Sequence, residues 1–165
     1  MSQFSRRSLA FFLATSALYA APAFAQQPNF TLPQLKAFVA MSPDAFRQEI
    51  KRQGFSYRDK TTTEWVSMIE YDKFAGDQTT NVMKSTYVED RAGENSIQFS
   101  TTDKAAFDVL VKEARDTGYA PADKGRIPGG ETYQEFKRKS EVVRFVYPKK
   151  ESGMGRPSYT AVVWR

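Results

Sequence analysis

The sequence predicts an α+β domain in which two helix-plus-three-strand repeats form an antiparallel sheet with helices packed on one face. Three observations carry that reading. Ser42 to Phe55 (SPDAFRQEIKRQGF) has the pattern of a short capped helix that stops at a Gly-aromatic pair. Asp103 to Tyr119 ends the same way, at Gly118-Tyr119, and sets Phe107 and Val111 four apart just as the first segment sets Phe46 and Ile50. Each segment is followed by stretches rich in β-branched and aromatic residues, the composition of strands.

The first 25 residues read as a signal peptide. Arg6-Arg7 form a positive n-region, Leu9 to Tyr19 an apolar core, and Ala23-Phe24-Ala25 a small-residue cleavage site. The apolar run is too short and wrongly flanked for a transmembrane anchor. Ser5-Arg6-Arg7-Ser8-Leu9 also resembles a twin-arginine signal, although general secretion fits the following residues better. No cysteine follows the apolar core, which excludes a lipid-anchored lipoprotein. The expectation is a periplasmic or secreted protein whose remaining residues, 26–165, form a single domain with repeats at 31–101 and 102–165. Loss of Arg6 and Arg7 takes the formal net charge from +5 to +3, too mild a bias to argue for nucleic acid or anionic lipid.

Along that domain, Thr31-Leu32-Pro33 is a helix start, and Leu35, Phe38, Val39 and Met41 continue it at helical spacing. In the next helix Ser42 is a good N-cap, Pro43 suits the first helical position, and Gly54 suits a left-handed stop. Ser56 to Thr63 is polar and reads as a connection. Glu64 to Tyr71, Val82 to Glu89 and Ile97 to Thr101 read as strands, separated by a turn at Gly76-Asp77 and a charged loop at Asp90 to Asn95. After the helix at Asp103, Ala120 to Gly130 reads as a loop rich in proline and glycine. Thr132 to Arg138, Val142 to Tyr147 and Tyr159 to Trp164 then read as three more strands, with a glycine-rich loop from Pro148 to Pro157 before the last.

The chain contains neither cysteine nor histidine. A Ser-His-Asp triad, a Cys-His pair and His- or Cys-ligated zinc or copper are therefore closed to it. No phosphate-binding glycine loop or acidic calcium ladder is present, and no cofactor or metal is expected. Glu64, Glu70, Asp72 and Asp77 cluster in sequence, but Glu64 and Glu70 on one strand would stand about 20 Å apart, too far for paired acid–base work. Lys84-Ser85 and Lys139-Ser140 are adjacent in sequence, and since neighbouring strand residues point to opposite faces neither is assigned Ser-Lys chemistry. No catalytic residues are assigned, and a non-enzymatic role is expected.

The basic runs Lys137-Arg138-Lys139 and Lys149-Lys150 with Arg156 fall at successive turns, which in a meander lie at opposite ends of the sheet. They read as solvated loop charge. The aromatic residues say more, at 14% of the chain. Val143, Phe145 and Tyr147 should face one way, and Val142, Arg144 and Val146 the other. One face must meet the helices; the other is the kind of half-exposed apolar and aromatic surface that binds a partner. Trp65, Arg144 and Trp164 are its expected anchors.

This order of elements, with the Phe46/Phe107 and Gly54-Phe55/Gly118-Tyr119 echoes, resembles the duplicated architecture of the β-lactamase inhibitor proteins and of the related small outer-membrane-assembly lipoproteins. The resemblance implies a non-catalytic protein that presents a concave sheet to another protein. The functional expectation is an exported binding protein, an inhibitor or immunity-type partner of another envelope or secreted protein. Two alternatives stand beside it: a small-ligand carrier or carboxylate-based enzyme, and a structural accessory of the cell envelope.

Overall fold

The computed structural model describes residues 30–149 and 156–164. The expected signal peptide and most of the Pro148–Pro157 loop lie outside them. Three helices and eight strands follow in the order α1 (Leu32–Ala40), α2 (Pro43–Arg52), β1 (Ser56–Thr62), β2 (Val66–Ala75), β3 (Gln78–Tyr87), β4 (Ser96–Thr101), α3 (Lys104–Asp116), β5 (Ala120–Arg126), β6 (Thr132–Arg138), β7 (Glu141–Tyr147) and β8 (Tyr159–Trp164), with a short 3₁₀ segment at Glu89–Glu94. The fold is α+β, built on one antiparallel eight-stranded sheet in the order β1-β2-β3-β4-β8-β7-β6-β5.

Local chemistry sets the helix ends. Thr31 and Gln34 form a reciprocal capping box at α1, and Ser42 caps α2 by accepting from Ala45 N at 3.3 Å. Pro43 disfavours helical backbone at Ser42, which separates α1 from α2. Asp103 caps α3 by accepting from Ala105 N and Ala106 N. α2 and α3 stop by the same hydrogen-bond pattern. Gly54 at φ +83° bonds back to Lys51 O while Phe55 bonds to Ile50 O; Gly118 at φ +86° bonds to Arg115 O while Tyr119 bonds to Ala114 O. Glycine is needed there because the left-handed turn clashes with a Cβ.

Two strands correct the sequence reading of three strands per unit. β1 and β5 fall where polar and Pro/Gly-rich connections were expected. They are the two outer edges of the sheet, and nearly every residue in them is exposed, so no alternation marks them. Edge position also tolerates Pro121 and the charges of Arg58, Asp59, Lys60, Asp123 and Lys124, which discourage further strand pairing. Each edge strand shifts register once, between Tyr57 and Asp59 and between Pro121 and Asp123. The strand expected from Glu64 begins instead at Val66.

Directly paired residues in neighbouring strands share a sheet face. Ile69, Tyr71, Val82, Ile97, Phe99, Ala161, Val163, Val143, Phe145 and Phe136 all project to the helix side, and every buried strand residue except Ser85 lies there. Phe30 and Phe38 from the α1 region, Phe46 and Ile50 from α2, and Phe107 and Leu110 from α3 meet them in one core. Burying each such side chain contributes about 1.5–3 kcal/mol before entropy is counted. Edge-to-face ring pairs knit the layers, among them Phe46 on Tyr71 and Phe107 on Phe145.

α1 sits over β4 and β8, the strands at which the two four-stranded meanders join. Three polar ties hold it. Lys84 of β3, 2% exposed, donates from Nζ to Phe38 O at 2.7 Å and Val39 O at 2.9 Å, the last-turn carbonyls of α1. Glu113 of α3 accepts from Leu32 N at 2.7 Å, supplying the opposite end. Lys36 pairs with Glu141 of β7, which Tyr119 and Arg138 also contact; these donors hold the Glu141 carboxyl down at about 2.

Burial pushes the Lys84 ammonium down to about 8 from 10.5. Between those values the folded protein binds fewer protons than the unfolded chain, so the stability contributed at this site rises with pH through that window. The unfolding free energy of the wild type relative to Lys84→Met should therefore grow by about 2–3 kcal/mol between pH 7.5 and 10.5. Denaturant titrations of both proteins at the two pH values measure it, and a pH-independent difference would contradict the assignment.

Candidate functional site

The sheet face opposite the helices carries no helix among the described residues. One row crosses all eight strands through successive pairs: Asp59, Glu70, Met83, Gln98, Val162, Arg144, Glu135 and Asp123. Its centre is apolar and amide, and its two ends are acidic. Most of the face is half-buried, and at one end Arg91 of the 3₁₀ segment lies 5.1 Å from the centre of the Tyr87 ring.

Its most organised part lies on β6, β7 and β8. The Arg144 guanidinium lies 4.6 Å from the centre of the Tyr133 ring and 5.4 Å from that of Trp164. Its Nε donates to Glu135 Oε1 at 2.8 Å, and Nη2 donates to the same oxygen. Arg144 is thus fixed in charge by one carboxylate and in plane by two aromatic faces, a partly desolvated arrangement that suits guanidinium better than ammonium. Tyr133 donates to Asp123 Oδ2 at 2.8 Å; that bond draws the Asp123 carboxyl below its usual range and raises the phenol. The Tyr133 ring lies across Gly125, where an added Cβ would stand 2.9 Å from the ring.

Of the three residues singled out by sequence, the structure brings Arg144 and Trp164 together and leaves Trp65 apart. Trp65 sits in the turn before β2, 50% exposed, three strands from β8, roughly 14 Å across the sheet. The turn sets Trp65 apart: Thr63 Oγ1 accepts from Trp65 N and Val66 N, curling the chain before the strand starts. Glu135, unremarked in the sequence, completes the cluster. Its signal was the two-residue turn Lys139-Ser140, which sets Arg138 opposite Glu141 and hence Glu135 opposite Arg144. Tyr71, Tyr147 and Tyr159 face the helices instead.

The carboxylates gathered in sequence do not form an acid–base pair. Glu64 is in the turn before β2, while Glu70 and Asp72 flank Arg58 at 3.7 and 3.6 Å. Among the described residues no group of three carboxylates converges as metal ligands would. No described helix is long and apolar enough to cross a membrane. The arrangement around Arg144 offers stacking surfaces and a fixed cation, the equipment of recognition. Comparison with family models, curated proteins and solved structures finds no match for the chain.

Trp65 and Trp164 are the two tryptophans of the chain. With Trp65 replaced by phenylalanine, Arg144→Ala should therefore red-shift the Trp164 emission and increase its quenching by acrylamide. An unchanged spectrum would mean that the guanidinium does not cover the ring.

Proposed function

We propose that the chain is an exported, non-catalytic binding protein that docks its helix-free sheet face on another envelope or secreted protein, as an inhibitor or immunity-type partner does. The observation that carries this is the Tyr133–Arg144–Trp164 cluster standing on a face with no helical cover. Aromatic and arginine side chains held in place before contact lose little entropy on binding and are the residue types that dominate protein interfaces. The acidic ends of the central row give such a face a charge pattern by which to select a partner with basic flanks. Export is supported by the Arg6-Arg7, Leu9–Tyr19 and Ala23-Phe24-Ala25 pattern.

The same reading takes residues 31–101 and 102–165 as two structural repeats, each of four strands. Support comes from the matched glycine stops of α2 and α3, the matched register shifts in β1 and β5, and the pairing of Asp59 and Glu70 at one end of the row with Asp123 and Glu135 at the other. In a duplicated sheet the two halves meet in one continuous surface, and that surface is the proposed interface.

Affinity capture from periplasmic extract, followed by titration of the recovered protein, tests this. Trp164→Ala and Arg144→Ala should each weaken binding by about 30-fold, the cost of losing an interface anchor. Val109→Ala, on the exposed side of α3, should leave it unchanged. Binding that is indifferent to both sheet-face substitutions would end the proposal.

A further inference from the structure

A second surface feature lies on the helix side of the sheet, at the β5–β6 edge. It is a cleft of about 960 Å³ lined by Arg115 of α3, Arg126 of β5, Thr132 and Gln134 of β6, Tyr147 of β7, and the Gly130 and Pro148-Lys149 segments. Its volume falls within the range of small-molecule sites. Three cations line it and, among the described residues, no carboxylate does. Glu131, next in sequence, is folded against Gly129 instead.

The arginines make the charge of this cleft informative. Nine arginines lie among the described residues, and seven of them sit within 4 Å of a described carboxylate: Arg47, Arg52, Arg58, Arg91, Arg138, Arg144 and Arg156. The two that do not are Arg115 and Arg126, and both line the cleft. Arg115 is held with its guanidinium 5.5 Å from the centre of the Phe136 ring, so its position is set by packing rather than by a counter-charge. Tyr147 forms a half-buried wall, its ring set edge-on to Phe107 at 5.3 Å. Two guanidinium forks, one ammonium and the Thr132 hydroxyl are the donors that oxyanions take, the Tyr147 hydroxyl being directed at Gln134 Oε1 at 3.5 Å, and the tyrosine ring and Pro148 supply a firm apolar floor.

We infer that this cleft binds a small, multiply charged oxyanion, a compound with two or more phosphate or carboxylate groups. The sequence alone leaves the site invisible, because Arg115, Arg126 and Lys149 come from three separate segments. The site is across the sheet from Trp164 and stands independently of the protein-docking proposal.

Isothermal titration of the chain with tripolyphosphate and with citrate, at a fixed salt concentration of about 0.1 M where long-range charge effects are screened beyond about 10 Å, tests it. One or both should bind saturably with one site per chain. The double substitution Arg126→Gln, Lys149→Gln removes two charged contacts and should weaken binding by about 100-fold. Lys137→Gln with Lys139→Gln removes the same charge away from the cleft and should change it less than about threefold. A preference for tripolyphosphate assigns the site to phosphate compounds, and a preference for citrate to polycarboxylates. Absence of saturable binding to either, or equal loss in the two double variants, would overturn the inference.

Discussion

The buried ammonium of Lys84 is the contact on which the arrangement of layers depends. Among the described residues it has no carboxylate partner; its charge is met by the last carbonyls of α1, the negative end of that helix. A lysine buried without such acceptors would deprotonate or drag water into the core. α1 is therefore both cover and counter-charge, and it cannot leave the sheet without exposing an ion that the core was shaped around. With Glu113 at its other end and Glu141 on its flank, α1 ties β3, β7 and α3 together above the β4–β8 junction. Joining two meanders through one strand pair would otherwise leave a line of weakness at the middle of the sheet.

Fixing all three helices on one side has consequences for the other. The buried strand residues are concentrated on the helix side, and the opposite face is left with mostly half-buried side chains. Such a surface must be polar enough to stay soluble and ordered enough not to pair with itself. The row from Asp59 to Asp123 meets the first need with acidic ends. Edge strands rich in charge, each broken by a register shift, meet the second. What remains at the centre and on β6 to β8 is an apolar and aromatic field with a stacked arginine.

Much of this was legible from residue order. The caps at Thr31 and Ser42, the glycine stops, and the alternation in Val143-Arg144-Phe145 follow from local rules that the structure obeys. β1 and β5 were not legible, because edge strands with both faces wet carry no burial pattern. Lys84 looked like an ordinary strand lysine beside Ser85, since its acceptors come from a helix more than forty residues earlier. The pairing of Arg144 with Trp164 needed β7 beside β8, which adjacency in sequence suggested; the distance of Trp65 needed the turn at Thr63, which it did not. The basic cleft is assembled wholly by tertiary contacts.

Amide hydrogen exchange across the sheet tests most directly the claim that α1, fastened by Lys84, clamps the junction of the two meanders. The account predicts that amides of β4 and β8 exchange slowest, that those of β1 and β5 exchange fastest, and that Lys84→Met selectively speeds exchange at the β4–β8 junction. If β4 and β8 open before the edge strands, or if the substitution leaves their protection unchanged, the claim is wrong.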